Sequence, residues 1–498
     1  MIREIGMKKI LVAAALASAI LAPMTAQAAK TTVNYGMRLE PPGLDPRTGA
    51  AAAISLITLY NIYEGLTRIG ADGNVKPALA KSWTVSPDGL VYTFNLEAGV
   101  KFHDGAEFDS SDVKYTFEEN AAETSKNKRK SRFTNIAKMD TPNATTIVVT
   151  LKEPRGDFLA QLGEGTAVIV DPDSDGNNAT KPVGTGPYKF VRWIKGDSVK
   201  MVAADTYRDT SSIQVKKATF RFINDSAARM ATLLTGDVDF ATVPNETLSQ
   251  FKLGDQFQIL EGTTNGETIL STNNKSEALS KLKVRQAIAH AINRQEIIDG
   301  AMFGYGTPIG SHFAPHHPDY VDLTNTYPYD PAKSKALLAE AGYPDGLALS
   351  LKLPPVDNYA RKGGQIVAAQ LEKAGFKINI QNVDWPKWLD EVYKKKNYDL
   401  SIVSHVEPMD INIYAREGYY FNYKNEAFNK VIKAAETALV PSVRSAKLKE
   451  AQMILAKDAV NGFMFQLANL HVVRKGLNGV WPNLHLFATD LARMSWDD

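Results

Sequence analysis

The first hydrophobic pattern of note lies after the turn sequence Pro87-Asp88-Gly89, where Tyr92, Phe94 and Leu96 alternate with polar residues. An alternation of period two predicts a strand with one buried face, and glycine supplies the positive φ that such a turn needs. Gly99 ends this strand. Ser110-Ser111-Asp112 then offers capping side chains to a helix that begins with the sequence VKYTFEEN.

In the second half of the chain, apolar residues recur at intervals of three and four, the spacing of an amphipathic helix. The clearest set comprises Val284, Ala287, Ile288, Ala291 and Ile292. Another helix begins after Asp330, whose carboxylate caps it, and ends at Gly342.

Strand and helix patterns alternate from residue 349 to residue 403. Strands are predicted at 349–353, 376–380 and 398–403, with helices at 359–374 and 386–396 between them. This order predicts a mostly parallel sheet with right-handed crossovers. Ligands of such sheets bind beyond the carboxyl ends of the strands, so residues 404–410 are a candidate binding segment.

The composition is that of a globular protein with more than one domain: 498 residues, 44% hydrophobic and 22% charged. Residues 1–28 are predicted to be a secretory signal peptide, with three basic residues, an apolar run and the cleavage sequence Ala26-Gln27-Ala28. Without them the chain has equal numbers of basic and acidic residues, which argues against nucleic acid as a partner. The basic run KNKRK at 126–130 is expected to be a solvated loop or helix end.

The chain has no cysteine. Disulfides, thiolate metal sites, cysteine nucleophiles and a lipid-modified cysteine are therefore excluded. After the signal peptide, no segment has 18 uninterrupted apolar residues, so we expect a periplasmic protein without a membrane anchor.

The segment 80–113 contains the pattern W-x(4)-DG-x(4)-F-x-L-x(3)-VKFHDG-x(6)-DV. It resembles a motif of the large extracytoplasmic solute-binding proteins of ABC importers, the family of the oligopeptide, dipeptide and nickel receptors. The resemblance implies a periplasmic-binding-protein type II α/β fold, in which a hinge joins two α/β lobes and the first lobe carries a small inserted domain. In this family the motif is framework, so His103 is expected to tie backbone segments together.

The resemblance also implies a domain division and a mechanism. The lobes close on a solute and the receptor then docks on an ABC permease with separate ATPase subunits, as a monomer without a cofactor. The predicted divisions are the signal peptide at 1–28, lobe I at 29–70, the inserted domain at 71–179, lobe I again at 180–267, lobe II at 268–475 and a return to lobe I at 476–498.

Several candidate ligand-binding residues follow from the resemblance. The loop after the first strand and the YEGL segment border the family's cleft, which implies Met37, Arg38 and Tyr63. NVDWPKWLDEVY matches a pocket-lining tryptophan of the peptide receptors, which implies Trp385, with Trp388 beside it. An indole offers a large stacking surface.

The segment SHVEPMDINIYAREGYYFNY departs from the pattern of the peptide receptors, because His405 stands where they have tryptophan and the segment is shorter. Glu407 or Asp410 is expected to supply the carboxylate that anchors a ligand ammonium group. Arg416 and Arg361 are candidates to bind a ligand carboxylate through two hydrogen bonds. The predicted solute is a peptide or a related polar organic molecule, with an opine-type conjugate as an alternative.

Metal binding and catalysis are further alternatives. His312, His316 and His317 cluster in GSHFAPHHPDY, where three histidines could bind zinc or nickel. The resemblance argues against this, because nickel receptors of the family take the metal mainly as a chelate and do not share the cluster, so a solvated loop is the other interpretation. The loop DPDSDGNNATKP resembles a calcium loop but lacks its closing Gly-x(5)-Glu. A secreted hydrolase is the remote alternative, since neither a Gly-x-Ser-x-Gly elbow, an HExxH helix nor a phosphate-binding loop occurs.

Overall fold

The computed structural model describes residues 30–49, 51–250, 254–407 and 410–497. The predicted signal peptide lies outside the described residues. Among the helices of the described part, none is both long enough and apolar enough to cross a membrane.

The strands of the described chain are the following: β1 (Thr32–Met37), β2 (Thr67–Ile69), β3 (Val75–Pro77), β4 (Ala80–Val85), β5 (Val91–Leu96), β6 (Ile136–Asn143), β7 (Thr146–Leu151), β8 (Tyr188–Ile194), β9 (Ser198–Ala203), β10 (Lys217–Phe222), β11 (Phe240–Thr242), β12 (Phe257–Thr272), β13 (Thr307–Pro308), β14 (Leu347–Leu353), β15 (Phe376–Asn382), β16 (Leu400–His405), β17 (Gly462–Arg474), β18 (Leu477–Asn478) and β19 (Ser495–Trp496).

The helices are the following: α1 (Ala52–Thr58), α2 (Ser110–Ala121), α3 (Lys130–Thr134), α4 (Phe158–Gln161), α5 (Ser226–Thr235), α6 (Asn245–Gln250), α7 (Leu282–Ala291), α8 (Arg294–Met302), α9 (Pro331–Glu340), α10 (Gly363–Lys373), α11 (Trp385–Trp388), α12 (Glu426–Thr437) and α13 (Pro441–Lys457). Two π-helical stretches, Asp357–Lys362 and Leu389–Lys394, precede α10 and follow α11.

One large sheet runs through both lobes in the order β15-β14-β16-β12-β17-β11-β1-β10-β9-β8. The long antiparallel strands β12 and β17 lie at its centre. On the lobe I side of this pair, β11 pairs antiparallel with β17. On the lobe II side, β16 pairs antiparallel with β12. The register between β12 and β17 shifts between Thr263 and Glu267, so the ladder is interrupted where the chain passes from one lobe to the other.

Each lobe has its own hydrophobic core. Tyr63, Tyr188 and Phe220 lie in the core of lobe I, while Leu351 and Phe465 lie in that of lobe II. The boundary predicted at 267/268 falls within β12, and the one at 475/476 follows the end of β17. The domain division as a whole stays a prediction.

The α/β order predicted for lobe II is present. β14 pairs parallel with both β15 and β16, and α10 lies between β14 and β15 in the chain. α9 begins after Asp330, whose carboxylate accepts a hydrogen bond from the Lys333 amide. α5 ends at Gly236, which has a φ of 84°. Local capping and turn chemistry therefore fixed these helix ends.

The small domain contains an antiparallel sheet in the order β4-β5-β7-β6. His103 Nε2 lies 2.9 Å from the Gly186 carbonyl oxygen, and the Gly184 amide donates to His103 Nδ1 at 3.4 Å. A Cβ on Gly184 would lie 2.1 Å from the Ile62 carbonyl oxygen, so only glycine fits this approach. The histidine thus joins backbone segments, as the resemblance implied.

Helix α1 ends at Thr58, and Tyr60 shortly after it takes a positive φ of 63°. Two helix predictions in lobe II need correction. The helices expected at 359–374 and 386–396 are partly π-helical. Apolar spacing predicted where these helices lie but not their local winding.

Candidate functional site

Two cavities lie where the strands of the lobes end. The first, which we call the lobe I pocket, has a volume of about 200 Å³. Met37 ends β1 and Thr242 ends β11, and both line this pocket, in keeping with ligand sites at the carboxyl ends of strands. Its other lining residues include Arg38, His471 and Trp481.

The second cavity, which we call the charged cleft, lies between the small domain and lobe II and has a volume of about 460 Å³. Arg132 binds both oxygens of Glu164 at 2.8 and 2.9 Å. Arg155 binds Asp157 at 3.1 and 3.0 Å. The charged cleft is lined by Arg129, Ser131, Arg132, Arg155, Asp157, Ala160, Gln161, Glu164, His405, Glu407, Asp410, Asn412, Ile413, Arg416 and Tyr419.

Direct contacts join the small domain to lobe II around this cleft. Arg129 forms an ion pair with Glu407. The Gly156 amide donates to the Glu436 carbonyl oxygen at 2.7 Å. A Cβ on Gly156 would lie 2.0 Å from the Ala438 carbonyl oxygen, so glycine permits this close approach.

The wall that lobe II contributes is built around Asp410. His312 Nε2 lies 2.7 Å from Asp410 Oδ1, and His405 Nδ1 lies 3.7 Å from Asp410 Oδ2. Burial alone would raise the pKa of Asp410, but these two histidines hold it below its usual value. Burial lowers the pKa of His405 and raises that of the neighbouring Glu267 carboxyl well above its usual value.

Arg416 differs from the other arginines of the charged cleft. Its guanidinium lies 3.4 Å from Asn412 Oδ1 and 6.0 Å from the ring of Tyr419. No carboxylate among the described residues lies within ion-pairing distance of it. A guanidinium without an anionic partner, at the wall of a polar cleft, is suited to bind an anionic group.

Two of the predicted site residues are enclosed in the hydrophobic cores and do not reach either cavity. Tyr63 is fully buried in lobe I. Trp388 is packed in lobe II, where its indole nitrogen donates to Ser401 Oγ at 2.9 Å. Apolar packing explains both positions, and contact of either residue with a ligand stays a prediction.

The remaining candidates are divided. Met37 and Arg38 line the lobe I pocket, while His405, Glu407, Asp410 and Arg416 line the charged cleft. Trp385 is 39% exposed but lines neither cavity. Arg361 also lines neither, and its Nη1 lies 3.5 Å from Asp357.

The three histidines that offered a metal-binding alternative, His312, His316 and His317, do not converge on one point. His316 bonds to Thr263 and packs against His485, whereas His317 stacks on Phe313 with ring centroids 4.3 Å apart. His312 faces Asp410 instead, in another direction. In the calcium-like loop, Asp175 forms an ion pair with Arg47.

Sequence reasoning missed three residues of the charged cleft, namely Arg129, Arg132 and Arg155. Arg129 belongs to the KNKRK run, which was expected to be solvated. A basic run predicts exposure but does not indicate a partner such as Glu407, which is far away in the chain. Charge alone gave no signal for the function of these residues.

Comparison with known proteins gives the family. Residues 74–426 match the model for bacterial extracellular solute-binding proteins, family 5 Middle. The glutathione-binding protein GsiB of Salmonella paratyphi A is 30% identical over 496 residues, which cover 95% of this chain and 96% of GsiB.

Two solved structures agree. The periplasmic binding protein AgaA in complex with agropinic acid, from A. tumefaciens R10, is 26% identical with a TM-score of 0.74, over 94% of this chain and 99% of AgaA. DppA from Helicobacter pylori, in complex with the peptide STSA, is 25% identical with a TM-score of 0.76, over 94% of this chain and 98% of DppA. The chain belongs to family 5 of the bacterial extracellular solute-binding proteins.

Proposed function

We propose that this chain is the periplasmic receptor of an ABC importer and that its solute is a small polar organic molecule with at least one carboxylate. Short peptides, glutathione and opine-type conjugates belong to this class. Family membership supports the receptor function, because GsiB, AgaA and DppA are all binding proteins. Docking on a permease with ATPase subunits, as a monomer, is part of the proposal.

The distribution of charges in the cleft favours a ligand carboxylate. Each carboxylate that lines it already has a basic partner: Asp157 with Arg155, Glu164 with Arg132, Glu407 with Arg129, and Asp410 with His312. Arg416 is the cleft arginine without an ion pair among the described residues. This single imbalance carries the proposal, since an exposed guanidinium without an ion pair can form charge-assisted hydrogen bonds with an anionic group.

The size of the cleft agrees with a small solute. A volume of about 460 Å³ lies within the range of ligand pockets, roughly 300–1,000 Å³. Closure of the lobes is part of the proposal, and it is supported by two features: β12 and β17 connect the lobes, and contacts such as Arg129 with Glu407 join the small domain to lobe II. A solute that contacts both the small domain and lobe II stabilises the conformation in which the two are in contact.

A thermal-shift screen tests the proposal. Glutathione, dipeptides, tripeptides, agropinic acid and nickel–histidine are added separately to the purified protein. We expect a carboxylate-bearing organic solute to raise the melting temperature, because it binds only the folded state. Stabilisation by the nickel chelate alone would overturn the proposed class, and chemical turnover of a bound peptide would favour the hydrolase alternative.

Two variants sharpen the result. Arg416→Ala should weaken binding of the stabilising solute by about tenfold or more, as expected for the loss of a charge-assisted hydrogen bond. Arg192→Ala is the matched control, because Arg192 is exposed on β8 and away from both cavities. Equal affinity of the two variants, measured by calorimetry, would remove Arg416 from the site.

A further inference from the structure

Three residues from separate parts of the chain meet beside the charged cleft. Glu267 lies on β12, His312 lies in the loop after β13, and Asp410 begins a short 3₁₀ helix. One ligand atom from each lies within 4.8 Å of the others. His312 Nε2 and Asp410 Oδ1 are 2.7 Å apart.

The Glu267 carboxyl group is incompletely satisfied. Glu267 is only 4% exposed, and its Oε2 has no hydrogen-bond partner among the described residues. Asp410 is a second carboxylate in the same enclosed space. Two carboxyl groups with little water around them are costly to ionise, and a divalent cation would balance both charges.

A second layer of hydrogen bonds holds the imidazole in place. Tyr414 Oη lies 3.2 Å from His312 Nδ1, and Asn461 Nδ2 donates to Tyr414 Oη at 3.1 Å. His312 Nε2 therefore points at Asp410 while Nδ1 is occupied elsewhere. Outer partners of this kind orient a histidine ligand and fix its tautomer.

We propose that Glu267, His312 and Asp410 form a binding site for a resident divalent transition-metal ion of the zinc type. One imidazole and two carboxylates are a borderline-hard ligand set, which suits Zn²⁺ and, next, Mn²⁺. A further coordination position remains for water. This ion is distinct from a transported chelate, and the inference does not depend on which solute the receptor takes up.

The site has a consequence for the hinge. Glu267 lies at the register shift between β12 and β17, where it pairs with Gln466 of β17 and His405 of β16. An ion that also binds His312 and Asp410 ties this crossing point to lobe II. Metal binding would therefore hold β12, at Glu267, to the parts of lobe II that carry His312 and Asp410.

The test uses the full protein without solute or affinity tag. After treatment with a chelator it is incubated with ZnCl₂, passed through a desalting column and analysed for metal content. We expect a single Zn²⁺ per chain, a rise in melting temperature, and with Co²⁺ a visible absorption band from the metal centre. Glu267→Gln keeps the shape of the side chain and should weaken Zn²⁺ binding by about tenfold or more.

His316→Ala is the control, because His316 and His485 form another histidine pair with ring centroids 4.4 Å apart. It should retain the ion, whereas His312→Ala should lose it. Circular dichroism checks that each variant is folded, and Asp410→Asn supplies a second near-isosteric variant. The proposal is overturned if the wild type binds neither Zn²⁺ nor Mn²⁺, or if Glu267→Gln binds Zn²⁺ as tightly as the wild type.

Discussion

The lobe I pocket and the charged cleft are built in different ways. The pocket is formed by strand ends and by core side chains such as Trp481, and it continues the hydrophobic core of its lobe. The cleft is formed by ion pairs such as Arg129 with Glu407, which join segments far apart in the chain. Enclosed side chains therefore contribute most to folding stability, while the partly open charged ones are those that we propose bind the solute.

The largest expected effect is a difference in folding stability between variants of two neighbouring tryptophans of lobe II, one enclosed and one partly exposed. Trp388→Ala removes an enclosed indole and its bond to Ser401, and should lower the free energy of unfolding by about 4 kcal/mol. Trp385→Ala affects a side chain that is 39% exposed, and should leave folding nearly unchanged. Urea unfolding measures both variants.

Binding provides the other half of this test. If Trp385 contacts the solute, as the family resemblance implies, Trp385→Ala should weaken binding by more than about 1 kcal/mol, or roughly fivefold in Kd. An unchanged Kd for the solute found in the thermal-shift screen would remove Trp385 from the site. If Trp385→Ala strongly lowered the free energy of unfolding, the proposed difference between enclosed and partly exposed residues would be wrong.

The next effect concerns the pH dependence of folding stability that arises from His471, which lines the lobe I pocket. Burial lowers the pKa of His471 from 6.5 to about 4, and its Nδ1 has no hydrogen-bond partner among the described residues. The unfolded chain takes up a proton near pH 6.5, but the folded chain does so only near pH 4. His471 thus contributes about 3 kcal/mol above pH 6.5 that is lost as the pH falls towards 4.

His471→Phe isolates this contribution, since the rings of Tyr35 and Phe240 already surround the position at 6.4 and 6.1 Å. Urea unfolding at pH 7.5 and pH 4.5 should show a smaller loss of stability for the variant than for the wild type. His316 and His317 also have lowered pKa values and act in both proteins alike. An equal loss of unfolding free energy between pH 7.5 and pH 4.5 in the wild type and the variant would contradict the prediction.

The comparison of the two cavities also shows what the sequence could predict. Short-range signals gave α7, α9 and the parallel pairing of β14 with β15 and β16, because caps, turns and apolar spacing act within a few residues. The motif resemblance gave the family and the structural function of His103.

The sequence indicated four residues that line the charged cleft, His405, Glu407, Asp410 and Arg416, but not their ion-pair partners, since the pairs are set by tertiary packing. The GSHFAPHHPDY segment places three histidines close in sequence, yet only His312 reaches Asp410. The crossing strands β12 and β17 pair residues from distant parts of the chain, such as Glu267 with Gln466. Spacing along a sequence carries no information about such contacts.

The smallest expected effect tests whether the ion pairs of the cleft contribute to lobe closure. Arg129→Ala and Glu407→Ala each remove one partner of a pair that joins the small domain to lobe II. Because Glu407 is half exposed, the coupling energy should be below about 1 kcal/mol and should decrease with added salt. A double-mutant cycle on the Kd of the identified solute measures it.

Lys189→Ala and Asp205→Ala form the matched control, because that ion pair, 2.7 Å long, lies within lobe I and does not span the cleft. The control cycle should leave the Kd unchanged at every salt concentration. Small-angle scattering of the solute-free protein provides a second measurement, in which Arg129→Ala should increase the radius of gyration. If both cycles give the same coupling energy, Arg129 and Glu407 are surface charges that do not affect closure, and the solute alone holds the lobes together.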